Sequence, residues 1–318
     1  CSVPRFWEKV YTGVLNKFSS MGWIGNALLH RAIKIGRLRN LHYRRRGQKA
    51  TLYVDLQYRF FDKIVFKAIR KAIGMENGEF FPTAGAPLSE NIVRFLHCCG
   101  INIVMGYGLS ETTATVTCFP RKNFKIGSAG TTLPGVQVKI ADNGEILVKG
   151  KTVMKGYYNN EEETNFVMRK HADGQVWIHS GDIGSIDEDG FVYIQGRVKR
   201  MITRFDGHKV FPITIESFIG EHKLVHSCSV IGVDDRERTQ GQYPMAVIEL
   251  VAGVDASRRE EICREIYRMC QEQLEERGRP VAVVCVDEVP LTAMGKNDYR
   301  ALEKEYKYFD YVAWGKDQ

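Results

Sequence analysis

The sequence predicts a mixed α/β part followed by a smaller α+β part, and three observations carry that reading. An apolar run of strand length, Ile101–Met105, stops abruptly at Gly106-Tyr107-Gly108, with Ser110 and Glu111 just beyond. From Lys125 onward the texture changes to short alternating segments punctuated by glycine. After Gly196–Arg200, short apolar segments of strand composition alternate with amphipathic helical patterns.

The opening residues read as helical. Phe6, Val10, Val14 and Phe18 recur every four positions, as do Ile24, Leu28, Ala32 and Ile35 at close to helical spacing, and residues 58–73 follow suit up to Gly74. Glu79–Phe81 is a short candidate strand running into Thr83–Ser89, whose small residues can lie flat against a planar ligand. Ser89 is placed to cap a helix reaching Cys99, with Ile92, Phe95 and Leu96 on its inner face. The order strand, loop, helix, strand, loop predicts a mostly parallel sheet with both loops at one edge, where such sheets bind ligands. The glycines of Gly106–Thr112 allow close backbone approach, Tyr107 can wall a pocket, Ser110 can donate to a phosphate oxygen and Glu111 can hold Mg²⁺. In isolation the same loop also reads as a tight turn with Ser110 capping a helix.

Between 125 and 196 the segments Val136–Ile140, Glu145–Val148, Val176–His179 and Phe191–Gln195 alternate, separated by the turn signals Asp142–Gly144 and Asp189-Gly190. They predict a compact antiparallel unit, barrel-like or a small sheet. Asp182, in Gly181–Gly184, suits sugar hydroxyls, and equally suits turn capping. His179, Ser180 and Asp182 do not make a catalytic triad, because neighbours on an extended strand splay apart.

Beyond residues 196–200, Phe211–Ile219 reads as a helix with Pro212 in its first turn, and Val225–Val233, Met245–Val251 and Val281–Val286 read as strands. Ser257–Glu260 resembles a capping box before a helix with Ile262, Ile266, Met269 and Leu274 as its stripe. Pro290–Lys296 is a loop presenting a lysine, with a last helix from near Asp298. It is not a phosphate-cradling P-loop, since position 290 is proline and Asn297 stands where Ser or Thr is required. Alone, Lys296 reads as readily as a solvent-facing lysine.

Composition is that of a globular protein, with 44% hydrophobic and 26% charged residues in 318. That length accommodates two cores, and no apolar run is long enough to span a membrane. The eight cysteines lack a Cys-x-x-Cys spacing and read as reduced, mostly buried thiols of a cytoplasmic protein rather than a zinc site. The net charge of +7 is uneven: residues 1–80 hold 16 Lys/Arg against 5 Asp/Glu, leaving 29 against 33 in the remainder. A solvated helix face, an anionic membrane surface or a polyanionic ligand would account for the excess. No nucleic-acid module is recognisable and no nucleic-acid partner is expected.

Six motifs in order, Ala84–Leu88, Gly106–Glu111, Gly144-Glu145-Ile146 with Gly156-Tyr157, Ser180–Asp182, Gly196–Arg200 and the loop ending at Lys296, resemble those of the AMP-forming acyl-CoA synthetases of the adenylate-forming superfamily. Val3–Lys9 resembles the long-chain fatty acyl-CoA synthetase branch. No Ser/Thr/Gly-rich phosphate loop precedes Ala84, so the resemblance is to the C-terminal half of a synthetase, and the start at Cys1 fits a fragment, expected to be inactive alone. Serines at 110 and 180 stand where threonine is more usual and keep the hydroxyl.

The resemblance implies residues 1–196 as part of a large nucleotide- and acyl-binding domain (1–124 helix and sheet, 125–196 β subdomain), and 197–318 as a small mobile domain carrying the catalytic lysine. It implies that Gly85, Ala86 and Pro87 line adenine with Gly106, Tyr107 and Gly108, that Ser110 binds phosphate and that Glu111 holds Mg²⁺. Asp182, assisted by Arg197, would bind ribose; Lys199 would be the hinge, Lys296 the catalytic lysine, and Gly207 a lining of the thiol channel. The implied cofactors and substrates are ATP/AMP, Mg²⁺, coenzyme A and a carboxylic, expectedly fatty, acid, with peripheral membrane contact a further expectation. Transfer to a carrier-protein thiol, and nucleotide binding without turnover, are the alternatives.

Overall fold

The computed structural model describes residues 2–235, 238, 240–292 and 296–316. It divides into two compact units, residues 1–180 with 184–194, and residues 181–183 with 195–318. The first opens with helices α1 (Pro4–Ser20), α2 (Gly22–Gly36), α3 (Leu52–Phe61) and α4 (Lys67–Ala72). A π-helical stretch, Asp62–Phe66, joins the last two without a break.

Burial corrects the expected stripes. On α1 the buried residues are Pro4, Trp7, Val10 and Phe18, while Phe6 faces outward. On α2 they are Gly25, Leu29, Ala32 and Gly36, one position from the anticipated Ile24, Leu28 and Ile35. Two glycines on the inner face let α2 come close to the carbonyls of Phe18 and Cys98.

Next come β1 (Phe81–Thr83), α5 (Glu90–Cys98), β2 (Ile103–Tyr107), β3 (Thr117–Cys118) and β4 (Thr131–Thr132). β1 and β2 are parallel, with Thr83 opposite Met105, whereas β2–β3 and β3–β4 are antiparallel. The sheet is therefore mixed rather than mostly parallel. Trp7 Nε1 donates to Thr83 Oγ1 at 2.7 Å, fastening α1 to β1 in the core. His97 Nε2 lies 3.1 Å from the Ile103 carbonyl and the ring stacks on Phe124, fastening α5 to β2.

Next is a five-stranded sheet of β5 (Val136–Ile140), β6 (Glu145–Gly150), β7 (Met168–Lys170), β8 (Val176–Ile186) and β9 (Val192–Arg197), ordered β5-β6-β8-β7 with β9 on β8; residues 181–183 of β8 and 195–197 of β9 fall in the second unit. Helix α6 (Glu161–Val167) precedes β7, with Asn160 capping it.

The second unit holds the hairpin β10 (Ile202–Thr203) and β11 (Lys209–Val210), helix α7 (Pro212–Gly220), strands β12 (Val225–Asp234) and β13 (Gln242–Leu250), helix α8 (Arg259–Gln273), strand β14 (Val283–Val286), and helices α9 (Tyr299–Glu305) and α10 (Tyr311–Lys316). β13 runs antiparallel to β12 and parallel to β14. The expected capping box is absent: Ser257 donates to Asp255, which caps a 3₁₀ turn, and α8 begins only at Arg259. The cysteines other than Cys1 are free; four are buried and three half-buried.

Candidate nucleotide site

Because β1 and β2 are parallel neighbours, the chain leaves both at the same end of the pair. The segments there are Gly85-Ala86-Pro87 and Gly108–Thr112, the two that sequence reasoning singled out. Gly85, Ala86 and Pro87 are exposed and are anchored by buried Leu88 behind them. Gly85 has φ +93°, and a Cβ there would point into open space. That is an accessible ledge of small residues.

Packing fixes the second segment. Tyr107 sits opposite Thr117 and leans on the cluster of Val116, Val136, Ile146, Val148 and Val192. A Cβ on Gly108 would collide with the Ala114 carbonyl, so only glycine fits. The chain folds back through Thr113 and Ala114, both at positive φ, which no sequence signal announced. Buried Thr112 closes the turn: its Oγ1 accepts from Leu109 N–H at 3.0 Å. Ser110 is left exposed.

Glu111 is held at both ends. Its carbonyl accepts from Met154 N–H at 2.8 Å, and its Oε1 accepts from the Tyr157 hydroxyl at 2.6 Å. Partial burial and the adjacent carboxylate push the Tyr157 hydroxyl up to about 12, so it stays a donor at neutral pH. Tyr157 is in turn set by Thr164, whose Oγ1 accepts its N–H at 2.9 Å. The residue was visible in Gly156-Tyr157, yet only the fold shows its partner. A carboxylate bonded once still has acceptor capacity, and Mg²⁺ in phosphate sites takes one or two carboxylates with phosphate oxygens. Glu111 fits that requirement.

The remaining candidates belong to the second unit. Asp182 is buried, and its Oδ1 lies 3.0 Å from Nε of the largely exposed Arg197. The arginine orients the carboxylate while most of its own surface stays in solvent. Lys199 is exposed on a single 3₁₀ turn, Val198–Arg200. Beside it Arg200 is pinned, 2.6 Å from Glu216 and stacked over the Tyr299 ring. Gly207, at φ +77°, forms the β10–β11 turn, closed by Arg204 N–H to the His208 carbonyl at 2.9 Å. Lys296 is on a different element. Thr292 N–H reaches the Lys296 carbonyl at 2.7 Å, and Asn297 Nδ2 donates to Ser229 Oγ on β12 at 2.8 Å. The backbone at Lys296 is therefore anchored while its side chain is exposed. Residues 293–295 of this loop lie outside the described residues.

His179, Ser180 and Asp182 diverge, as expected. His179 Nδ1 meets Glu145 at 2.8 Å, Ser180 Oγ donates to the Ile146 carbonyl at 2.6 Å, and Asp182 pairs with Arg197.

Residues 1–158 match the family described as AMP-binding enzyme, and residues 214–296 match the AMP-binding enzyme C-terminal domain. The chain belongs to the AMP-binding enzymes. It is 34% identical over 233 residues to the long-chain-fatty-acid–CoA ligase FadD15 of Mycobacterium bovis, covering 73% of this chain and 37% of that protein. It is 30% identical to the 2-succinylbenzoate–CoA ligase of Listeria monocytogenes, covering 76% of this chain and 50% of the ligase. Among solved structures, o-succinylbenzoate coenzyme A synthetase (MenE) from Bacillus subtilis with ATP and magnesium ion aligns with TM-score 0.61 at 25% identity, over 74% of this chain and 50% of that one. The chain thus spans between about a third and a half of the length of the relatives it matches. The mixed α/β architecture agrees with the fold class expected from sequence.

Proposed function

We propose that this AMP-binding enzyme chain supplies nucleotide-binding and catalytic parts of an ATP-dependent acid–thiol ligase. A carboxylate oxygen attacks the α-phosphorus of ATP, the bond to the β-phosphate oxygen breaks, and pyrophosphate leaves. The coenzyme A thiolate then attacks the acyl carbon, the acyl–phosphate bond breaks, and AMP leaves. Direct attack on a carboxylate would have to expel oxide, which explains the need for the anhydride.

The observation that carries the reading is the Glu111–Tyr157 bond at 2.6 Å beside a turn in which Gly108 admits no side chain. A carboxylate held that way is preorganised for a metal–phosphate centre. Mg²⁺, when bound, would neutralise charge on the phosphates as two anions meet. Gly85, Ala86 and Pro87 with Gly106, Tyr107 and Gly108 line the adenine; Ser110 donates to a phosphate oxygen. Asp182, steadied by Arg197, accepts from the ribose hydroxyls. Lys296 donates to the transferring phosphoryl group, residues 197–318 act as the mobile domain with Lys199 as hinge, and Gly207 lines the thiol path in the second step.

The similarity to long-chain-fatty-acid–CoA ligases supports a fatty acid as substrate, while the 2-succinylbenzoate–CoA ligase similarity keeps aromatic acids in the test panel. Pyrophosphate release by the protein containing this chain, measured over aliphatic and aromatic acids with coenzyme A or a carrier protein as acceptor, tests the reading. Release is expected with long aliphatic acids and coenzyme A. Asp182→Ala should weaken binding of a non-hydrolysable acyl-adenylate analogue by about 100-fold, the loss of two hydrogen bonds to a charged group. Analogue binding without release under any acid would reduce the chain to a nucleotide-binding role, and unchanged affinity in the variant would remove Asp182 from the site.

A further inference from the structure

A lysine is hard to aim, because its charge sits at the end of a flexible four-carbon stem. What a fold can fix is the root of that stem, and both backbone polar groups of Lys296 are tied to one residue. Thr292 N–H donates to the Lys296 carbonyl at 2.7 Å, and Thr292 Oγ1 accepts from the Lys296 N–H at 3.2 Å. Flanking this pair, Leu291 and Asn297 form an antiparallel bridge, and Asp298 N–H donates to the Pro290 carbonyl at 2.7 Å. The loop is closed rung by rung behind the lysine.

Asn297 fastens the closed loop to the sheet. Its Nδ2 lies 2.8 Å from Ser229 Oγ, with Ser227 Oγ at 3.3 Å and the Cys228 carbonyl at 3.5 Å. Ser229 is fully buried and pairs with Val247 of β13. An apolar side chain at 297 would hold the loop down by burial, which has no direction; an amide bonded to a buried hydroxyl also fixes its orientation. The next residue of β12 supports the segment after Lys199. Arg200 Nη2 donates to the Val230 carbonyl at 3.2 Å, and its guanidinium stacks on Tyr299, three residues beyond Lys296. The lysine loop and the turn carrying Lys199 therefore share one support on β12.

We propose that Thr292 and Asn297 are positioning residues of the adenylation step, holding the root of Lys296 against β12 so that its ammonium is aimed at the transferring phosphoryl group. This rests on the reading of Lys296 as the adenylation lysine. Both residues act through the lysine, where a displacement of about 1 Å lowers a rate by up to about a hundredfold.

Thr292→Val, in the enzyme that contains this chain, keeps the side-chain shape and the N–H but removes the acceptor. Acid-dependent exchange of pyrophosphate into ATP at saturating substrates should fall about tenfold. The KM for ATP should stay within about twofold, and so should thioester formation from pre-made acyl adenylate. Thr292→Ser, which keeps the hydroxyl, should return the exchange rate to within about threefold of the parent. Asn297→Ala should show the same split between half-reactions; if stripping Ser229 of its partner unfolds that variant, the exposed Thr292 still decides the matter. Added to Lys296→Ala, Thr292→Val should cause no further loss, whereas a merely structural role would add its own. Apart from turnover, the Lys296 amide proton should exchange with deuterium about fivefold faster in Thr292→Val, the effect of losing one hydrogen bond. Exchange crippled by Lys296→Ala but untouched by Thr292→Val and Asn297→Ala would overturn this proposal alone. So would equal loss in both half-reactions, or a loss that adds to that of Lys296→Ala. Full exchange activity in Lys296→Ala would overturn the reading of the lysine, and the proposal with it.

Discussion

Glu111 shows what one side chain needs before it can serve a metal–phosphate centre. It is half-buried, held through its own carbonyl by Met154 and through its carboxylate by Tyr157. Removing the phenol leaves the carboxylate in place but free to turn. Tyr157→Phe should therefore raise the Mg²⁺ concentration for half-maximal nucleotide binding by about tenfold, the usual effect of losing a partner behind a metal ligand. Titration of nucleotide binding against Mg²⁺ checks this, and an unchanged midpoint would make the bond merely structural. Residue types in this site were legible in the sequence: Gly106–Glu111 was visible as two glycines, an aromatic, a hydroxyl and a carboxylate. Their support was not, because Tyr157 lies 46 residues away and the positive φ of Thr113 and Ala114 follows from closure of the turn.

At the scale of elements, helices were legible in type and less so in facing. α2 buries Gly25, Leu29, Ala32 and Gly36 because its glycines admit neighbouring carbonyls, and a count of large apolar residues selects the adjacent stripe. β1 and β2 both form, each shifted two residues toward the C-terminus of its apolar run, since pairing with β3 draws Gly106 and Tyr107 into the ladder.

The joint between α5 and β2 carries a pH signature. Burial holds His97 down at about 4, neutral, with its Nε2–H placed to donate to the Ile103 carbonyl. Its folded value lies below its unfolded one, so its contribution is fully present above about pH 6.5 and is lost as pH falls toward 4, at most about 3 kcal/mol. Thermal melts of the chain should show that acid-side loss of stability. His97→Leu should lower stability at pH 7, by loss of the bond, and flatten the slope between pH 6.5 and 4. An unchanged slope would show that other groups set it.

At the scale of the molecule, each unit has its own core, one around Trp7, Phe66, Leu96 and Ile103, another around Ile215, Ile219, Ile248 and Ile266. The change of texture near residues 196–200 was legible because strand and turn signals alternate so regularly before it.

On the proposed mechanism the candidate residues divide one reaction between them, with Lys296 serving only the adenylation step. The most direct test is Lys296→Ala in the enzyme that contains this chain, with the two half-reactions measured separately. Acid-dependent exchange of pyrophosphate into ATP should fall by at least about 100-fold, the scale for removing one preorganised donor from a charged transition state. Thioester formation from pre-made acyl adenylate and coenzyme A should stay within about threefold, because no interaction with its transition state has been removed. Equal loss in both half-reactions would show that Lys296 does not act in adenylation alone.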